Sequence, residues 1–179
     1  MLLVNFMGSP GCGKSTTAAG AFFELKCQGW NVELITEYTK ELIIKGDADT
    51  LADELLVFAE KYRRVAMMKD VDIVITDSPL LNSVIYGGAQ FGDAAVSFYK
   101  EVAASFDNLY FFLNRKGEYV PFGRMSDEAD AQEHGQALFE MMFDEGIGLK
   151  IFDNVGGAMT PIVDTIKTEA KKRGYVPFF

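Results

Sequence analysis

Very little in this chain points to an oxidising or membrane setting. Its 179 residues contain two cysteines, Cys12 and Cys27, at a spacing that matches no metal motif. Neither a disulfide framework nor a structural zinc site can therefore organise the fold, and a reducing, cytoplasmic compartment is expected. Positive charge is also short, with 17 Lys and Arg against 26 Asp and Glu and a net charge of −9. That excludes a general polyanion-binding face, while the Lys and Arg at 61–64 and 115–116 keep a local basic site open. No apolar run approaches the roughly 20 residues a bilayer span requires. The first run, 1–7, has no basic flank and reads as a buried strand, not a leader. Repeats, low-complexity stretches and Pro-rich linkers are absent, so one domain over residues 1–179 is expected.

What is present is a regular alternation of apolar runs and helical patterns, in a chain that is 49% apolar. Strands are expected at Leu2–Met7, Asn31–Thr36, Ile73–Thr76, Leu109–Leu113 and Leu149–Phe152. Between them, helices are expected from Lys14 to Gln28, over 38–45, and from Thr50 to Lys69, the last with a stripe at Leu51, Leu55, Phe58, Tyr62 and Val65. Further helices are expected around Leu80–Tyr86 (stopping at Gly87-Gly88), over Asp93–Phe106, from a Ser126 cap to about Asp144, and after a Thr160 cap with Pro161 first. Right-handed crossovers then give a parallel sheet with helices on both faces and a ligand at the carboxyl ends of its strands.

The most specific signal sits at the first of those ends. Gly8-Ser9-Pro10-Gly11-Cys12-Gly13-Lys14-Ser15-Thr16 follows the first strand and opens the first helix. This is the G-x-x-x-x-G-K-[ST] phosphate-binding loop in the strand–loop–helix setting that gives it meaning. Glycines let the backbone turn its N–H groups toward phosphate oxygens, and the helix start adds positive potential. Lys14 supplies a point charge to the β- and γ-phosphates, and Ser15 a hydroxyl to Mg²⁺. Cys12 reads as a small filler; its place beside helix N–H groups makes sensitivity to alkylation a side expectation.

The other strand ends carry acids and arginines. Asp77, after Ile73-Val74-Ile75-Thr76, is the expected second metal anchor or an acceptor of the substrate proton. Glu37, after the second strand, is the second candidate for that base, and the sequence does not choose between them. Arg115 and Arg124 flank an irregular polar segment read as a lid at about residues 114–126, which would close over the transferring phosphoryl group. Arg63 and Arg64, with Lys61 beside them, read as a solvated helix face. His134 reads as a core-edge residue. Tyr38, Tyr86 and Tyr119 are candidates to stack on a base, and Asp153 through Gly157 occupy a usual base-pocket position. Asn114-Arg115-Lys116-Gly117 does not supply the Asn-Lys-x-Asp pattern of GTPases, so ATP is the expected donor.

On Gly8–Thr16, Ile35 through Leu42, Thr76-Asp77-Ser78-Pro79-Leu80, and Tyr119 through Arg124 before an acidic helix, the chain resembles the small P-loop kinases of the nucleoside and nucleotide kinase group. It is most similar to phage-encoded ATP-binding proteins and the ribosylnicotinamide-kinase-like branch. The resemblance implies an α/β fold of P-loop NTPase type: a five-stranded parallel sheet with helices on both faces and an arginine-bearing lid. It further implies ATP- and Mg²⁺-dependent transfer of the γ-phosphate to a hydroxyl or phosphate of a nucleoside- or nucleotide-like acceptor, in the host cytoplasm if phage-encoded. Asp77-Ser78 replaces the acid–arginine pair of many thymidylate and deoxynucleoside kinases, and the Asp-Gly-Phe-Pro run of adenylate kinases is missing, which leaves the acceptor open. Two other readings remain: a kinase of hydroxymethylated pyrimidine bases in DNA, and a nucleotide-dependent switch ATPase.

Overall fold

The computed structural model describes residues 1–115, 127–153 and 159–179. Its centre is β1 (Leu2–Met7), whose six residues are all buried. The strand pleat sends alternate side chains to opposite faces. Leu2, Val4 and Phe6 join one cluster with α1 (Lys14–Cys27) and α8 (Met159–Lys172), through Ala18, Ala21, Leu25, Ile162, Val163 and Ile166. Leu3 and Met7 enter clusters on the other side. Burying both faces is what a continuous apolar run permits and an alternating one does not. Each fully buried Leu or Phe contributes about 1.5–3 kcal/mol relative to exposure.

Four more strands complete a sheet ordered β2-β3-β1-β4-β5, with every neighbouring pair parallel. They are β2 (Val32–Ile35), β3 (Ile73–Thr76), β4 (Asp107–Asn114) and β5 (Leu149–Asp153). Between β2 and β3 lie α2 (Tyr38–Lys45), α3 (Ala48–Leu51) and α4 (Glu54–Ala66). A short 3₁₀ turn (Leu80–Asn82), α5 (Ser83–Phe91) and α6 (Asp93–Ala104) precede β4, and α7 (Glu128–Asp144) precedes β5. The five-stranded parallel α/β architecture expected from the sequence is the one observed.

Four local expectations are corrected. The helix over Thr50–Lys69 is two helices, because Asp53 caps α4 by accepting from the N–H groups of Leu55 and Leu56. The buried face also differs: Val57, Phe58 and Val65 are inside together with Glu54 and Lys61, whereas Leu55 and Tyr62 are exposed. Gly87-Gly88 does not stop α5, which runs on to Phe91. Gly87 is a packing residue, since a Cβ there would fall 2.0 Å from a ring carbon of Tyr99. The cap of α7 is Asp127, accepting from the Asp130 N–H, and α8 already begins at Met159, which puts Thr160 and Pro161 inside the helix. Ser126 lies outside the described residues.

Candidate active site

The loop of residues 8–13 leaves the carboxyl end of β1 and turns directly into α1. Gly8, Gly11 and Gly13 have φ of 133°, 83° and 93°, a region that side chains with a Cβ rarely enter. Lys14 is folded across the loop mouth, its Nζ donating to the carbonyls of Gly8 (3.0 Å) and Ser9 (3.1 Å). The ammonium is thus held where phosphate oxygens would arrive, and exchanging two carbonyl partners for anionic ones strengthens its bonds.

The loop is one wall of a cleft of about 740 Å³. Of the sequence candidates, Gly8, Pro10, Gly11, Gly13, Lys14, Ser15, Thr16, Glu37 and Asp77 line it. Ser9 and Cys12 do not. Ser9 packs against α7, where Gly135 allows the approach: a Cβ on it would stand 2.7 Å from Ser9 Cβ. Cys12 is fully buried and belongs to the core cluster under the sheet. Its N–H is also engaged by the Ser9 carbonyl. The expected alkylation sensitivity of Cys12 is therefore corrected, because a thiol with no solvent access does not meet the reagent; the exposed cysteine is Cys27.

Asp77 ends β3 beside the loop and is 4% exposed. Burial pushes its carboxyl above the usual range, the Ser15 hydroxyl pulls it down, and the Glu37 charge pushes it up again. Its Oδ1 is buried and accepts no hydrogen bond among the described residues. A buried carboxylate oxygen without a donor, adjoining a serine hydroxyl, fits a hard, oxygen-seeking cation such as Mg²⁺, which keeps several waters and takes few protein ligands. Among the described residues, no group of three or more His, Cys, Asp or Glu is placed to hold a metal by itself, so such an ion would depend on Ser15, Asp77 and phosphate oxygens together.

Glu37 caps α2 by position and accepts from the Thr39 hydroxyl at 2.7 Å. Its charge acts on Asp77, Lys61 and Tyr86, with which it lines the cleft. Arg115 is not among the cleft residues; it donates to Glu128 at 2.6 Å and joins the end of β4 to the start of α7. Arg64 is bidentate to Glu41 (2.6 and 2.8 Å), also bonds Glu60, and lies over the Tyr38 ring, a clamp between α2 and α4. Arg63 is on the solvated face with Glu60. Arg124, Tyr119, nearly all of the lid segment and residues 154–157 of the base-pocket candidate lie outside the described residues.

The cleft also holds side chains that the sequence assigned elsewhere or passed over, along with one base-stacking candidate, Tyr86. Lys61, assigned to a solvated face, is 5% exposed; it pairs with buried Glu54 at 3.7 Å and donates to Ser83 Oγ at 3.1 Å. Burial holds its ammonium below the usual lysine range, opposed by Glu54 and Glu37. Asn82, Tyr86 and half-buried His134 line the cleft as well. The Tyr86 and His134 rings stack, with centroids 4.9 Å apart. Burial first, then the charges of Lys14 and Lys61, lower the imidazole from 6.5 to about 4. The signal for Lys61 was its spacing: 54, 57, 58, 61 and 65 form a helical stripe as good as the one through Leu55 and Tyr62.

Among the described residues, no helix is long and apolar enough to cross a membrane. Residues 3–154 match a protein-family model described as an AAA domain. No curated protein matches the chain.

Proposed function

The chain belongs to the AAA domain family, a nucleotide-binding P-loop NTPase class, and from that premise we propose that it is an ATP- and Mg²⁺-dependent phosphotransferase acting on a nucleoside- or nucleotide-like acceptor. One observation carries this reading. The lining of the cleft does not end with the phosphate loop and Asp77 but includes Glu54, Lys61 and Asn82, with Ile43, Leu51 and Tyr86. A hydrolase or switch needs room for a nucleotide and a water; a transferase needs a place for a second molecule.

In the proposed reaction, the loop amides and Lys14 hold the donor phosphates in line with the acceptor. When bound, Mg²⁺ would be held by Ser15 and Asp77 and would neutralise charge on the phosphates. The acceptor oxygen attacks the γ-phosphorus, the bond to the β-phosphate oxygen breaks, and ADP leaves. Glu37 takes the hydroxyl proton, because it lines the cleft and its charge reaches both Asp77 and Lys61, while Asp77 is committed beside Ser15. Arg124 is proposed to meet the charge spread over the transferring group, with Arg115 anchoring the neighbouring segment to α7. Residues 1–179 act as one kinase domain.

The test is transfer from γ-labelled ATP with Mg²⁺ across nucleosides, nucleoside monophosphates, nicotinamide riboside and hydroxymethylpyrimidine DNA. Label on a small acceptor is the expected result. Label only on DNA would move the reading to base modification. ATP binding with hydrolysis but no transfer would overturn it in favour of a switch ATPase.

A further inference from the structure

The cleft contains groups that phosphate chemistry does not use. Glu54 is 8% and Lys61 5% exposed, yet both line the cavity. Their separation of 3.7 Å is an ion pair without a hydrogen bond. Glu54 Oε1 and Asn82 Oδ1 are both buried and accept no hydrogen bond among the described residues. Lys61 gives one of its three donors to Ser83, leaving others to spend. Two buried acceptors without donors and a buried donor with capacity to spare line one cleft together with Tyr86. Buried polar groups in folded proteins are normally satisfied, so this set matches a ligand that completes it.

We propose, resting on the phosphotransferase reading above, that Glu54, Lys61 and Asn82 form the recognition floor for the acceptor, and that it takes an uncharged ring compound of nucleoside type, with N–H or O–H donors beside a carbonyl. The carbonyl accepts from Lys61 Nζ, the donors meet Glu54 Oε1 and Asn82 Oδ1, and the ring lies against Tyr86. The charges favour an uncharged acceptor. The described lining carries four acids, Glu37, Glu54, Asp77 and Asp130, against three lysines, Lys14, Lys40 and Lys61. Lys14 is committed to the donor phosphates and Lys61 is balanced by Glu54. A phosphate on the acceptor would meet Glu37, Glu54 and Asp77 at close range, where like charges cost most.

Calorimetric binding tests this, with Mg²⁺ and a non-hydrolysable ATP analogue, against uncharged nucleosides, their ring-N-methylated forms and nucleoside monophosphates. Two variants accompany the wild type. Glu54→Leu/Lys61→Met removes both charges together, so neither is left unpaired; Asn82→Ala is the milder change should the double variant fail to fold. Uncharged nucleosides are expected to bind, with the methylated and monophosphate forms weaker by about tenfold or more. Both variants are expected to lose roughly 10- to 100-fold in nucleoside affinity while ATP affinity stays unchanged. Monophosphates binding as well as nucleosides, or folded variants binding like the wild type, would overturn the proposal. Nucleoside binding that depends on these residues, with no label reaching any acceptor, would keep the recognition floor and sink the transferase reading. Transfer to monophosphates that ignores both variants would do the reverse.

Discussion

Lys14 and His134 show how one cavity sets two side chains to different tasks. Lys14 sets its Nζ against loop carbonyls at the mouth of the phosphate site. Its replacement in Lys14→Ala is expected to lower transfer by about 100-fold or more, as loss of a charge-stabilising donor does, measured with γ-labelled ATP. His134 is held neutral, its proton affinity lowered from 6.5 to about 4. Between those values the unfolded chain binds the proton more readily, so this residue makes stability fall as pH drops from 6.5 toward 4. Removing it in His134→Phe should flatten that part of the profile by on the order of 1–2 kcal/mol, read from urea midpoints at a series of pH values. A slope unchanged by the variant would refute the burial account. Cys12 and Cys27 make a simpler contrast. In the native protein iodoacetamide should modify Cys27, with Cys12 reacting only on unfolding; mass spectrometry of digested protein gives the answer.

At the scale of elements, the site depends on α7 resting on the phosphate loop. Gly135 is the point of contact, and an added methyl would stand 2.7 Å from Ser9 Cβ and 3.1 Å from its Cα. Backbone at that distance cannot yield as a flexible side chain can. Gly135→Ala is expected to cost about 1–3 kcal/mol and to weaken ATP binding as the loop shifts. Gly148→Ala, where nothing lies within 4 Å, is the control, expected to change stability by less than about 0.5 kcal/mol. Thermal unfolding and nucleotide titration of the pair separate the clash at Gly135 from the effect of an added methyl in open space. The position of α4 shows what the sequence made legible and what it did not. Its helical period was plain, but the phase was not: Asp53 fixes the start, whereas the packing of the helix turns Glu54 and Lys61 inward. Charged residues on an apolar stripe look like solvent residues until the cavity that receives them is known.

Across the whole molecule, arginine–carboxylate clamps join elements distant in the chain. Arg64 ties α2 to α4 through Glu41 while also holding Glu60 on its own helix, and Arg173 ties α8 to β4 through Asp107 while also holding Glu169. Arg63 first, with Arg64, lowers the Glu60 carboxyl to about 2; Glu41, Asp107 and Glu169 are also lowered by their cationic partners. A lowered carboxylate stabilises the fold fully above its unfolded value and loses that contribution as pH falls toward its folded value. Stability should therefore decline progressively from about pH 4.5 to about 2, and high salt should weaken the effect because the clamps are solvent-facing. Acid titration of circular dichroism in low and high salt is the check; a salt-independent acid midpoint would count against the clamps.

The amino-acid sequence by itself determined the sheet, because runs such as Leu2–Met7 can bury both faces only as parallel strands under helices. It also determined the phosphate loop, because three glycines, a lysine and a serine at fixed spacing act through the backbone and depend little on distant residues. The chain could not reveal alone which charged side chains are inside. Lys61, Glu54 and His134 acquire their environment only when α4, α5 and α7 close around one cavity. Cys12 likewise acquires its burial from the core beneath the loop. Local chemistry is written in spacing, but burial is a property of surfaces brought together from far apart, and that was decided by the tertiary structure.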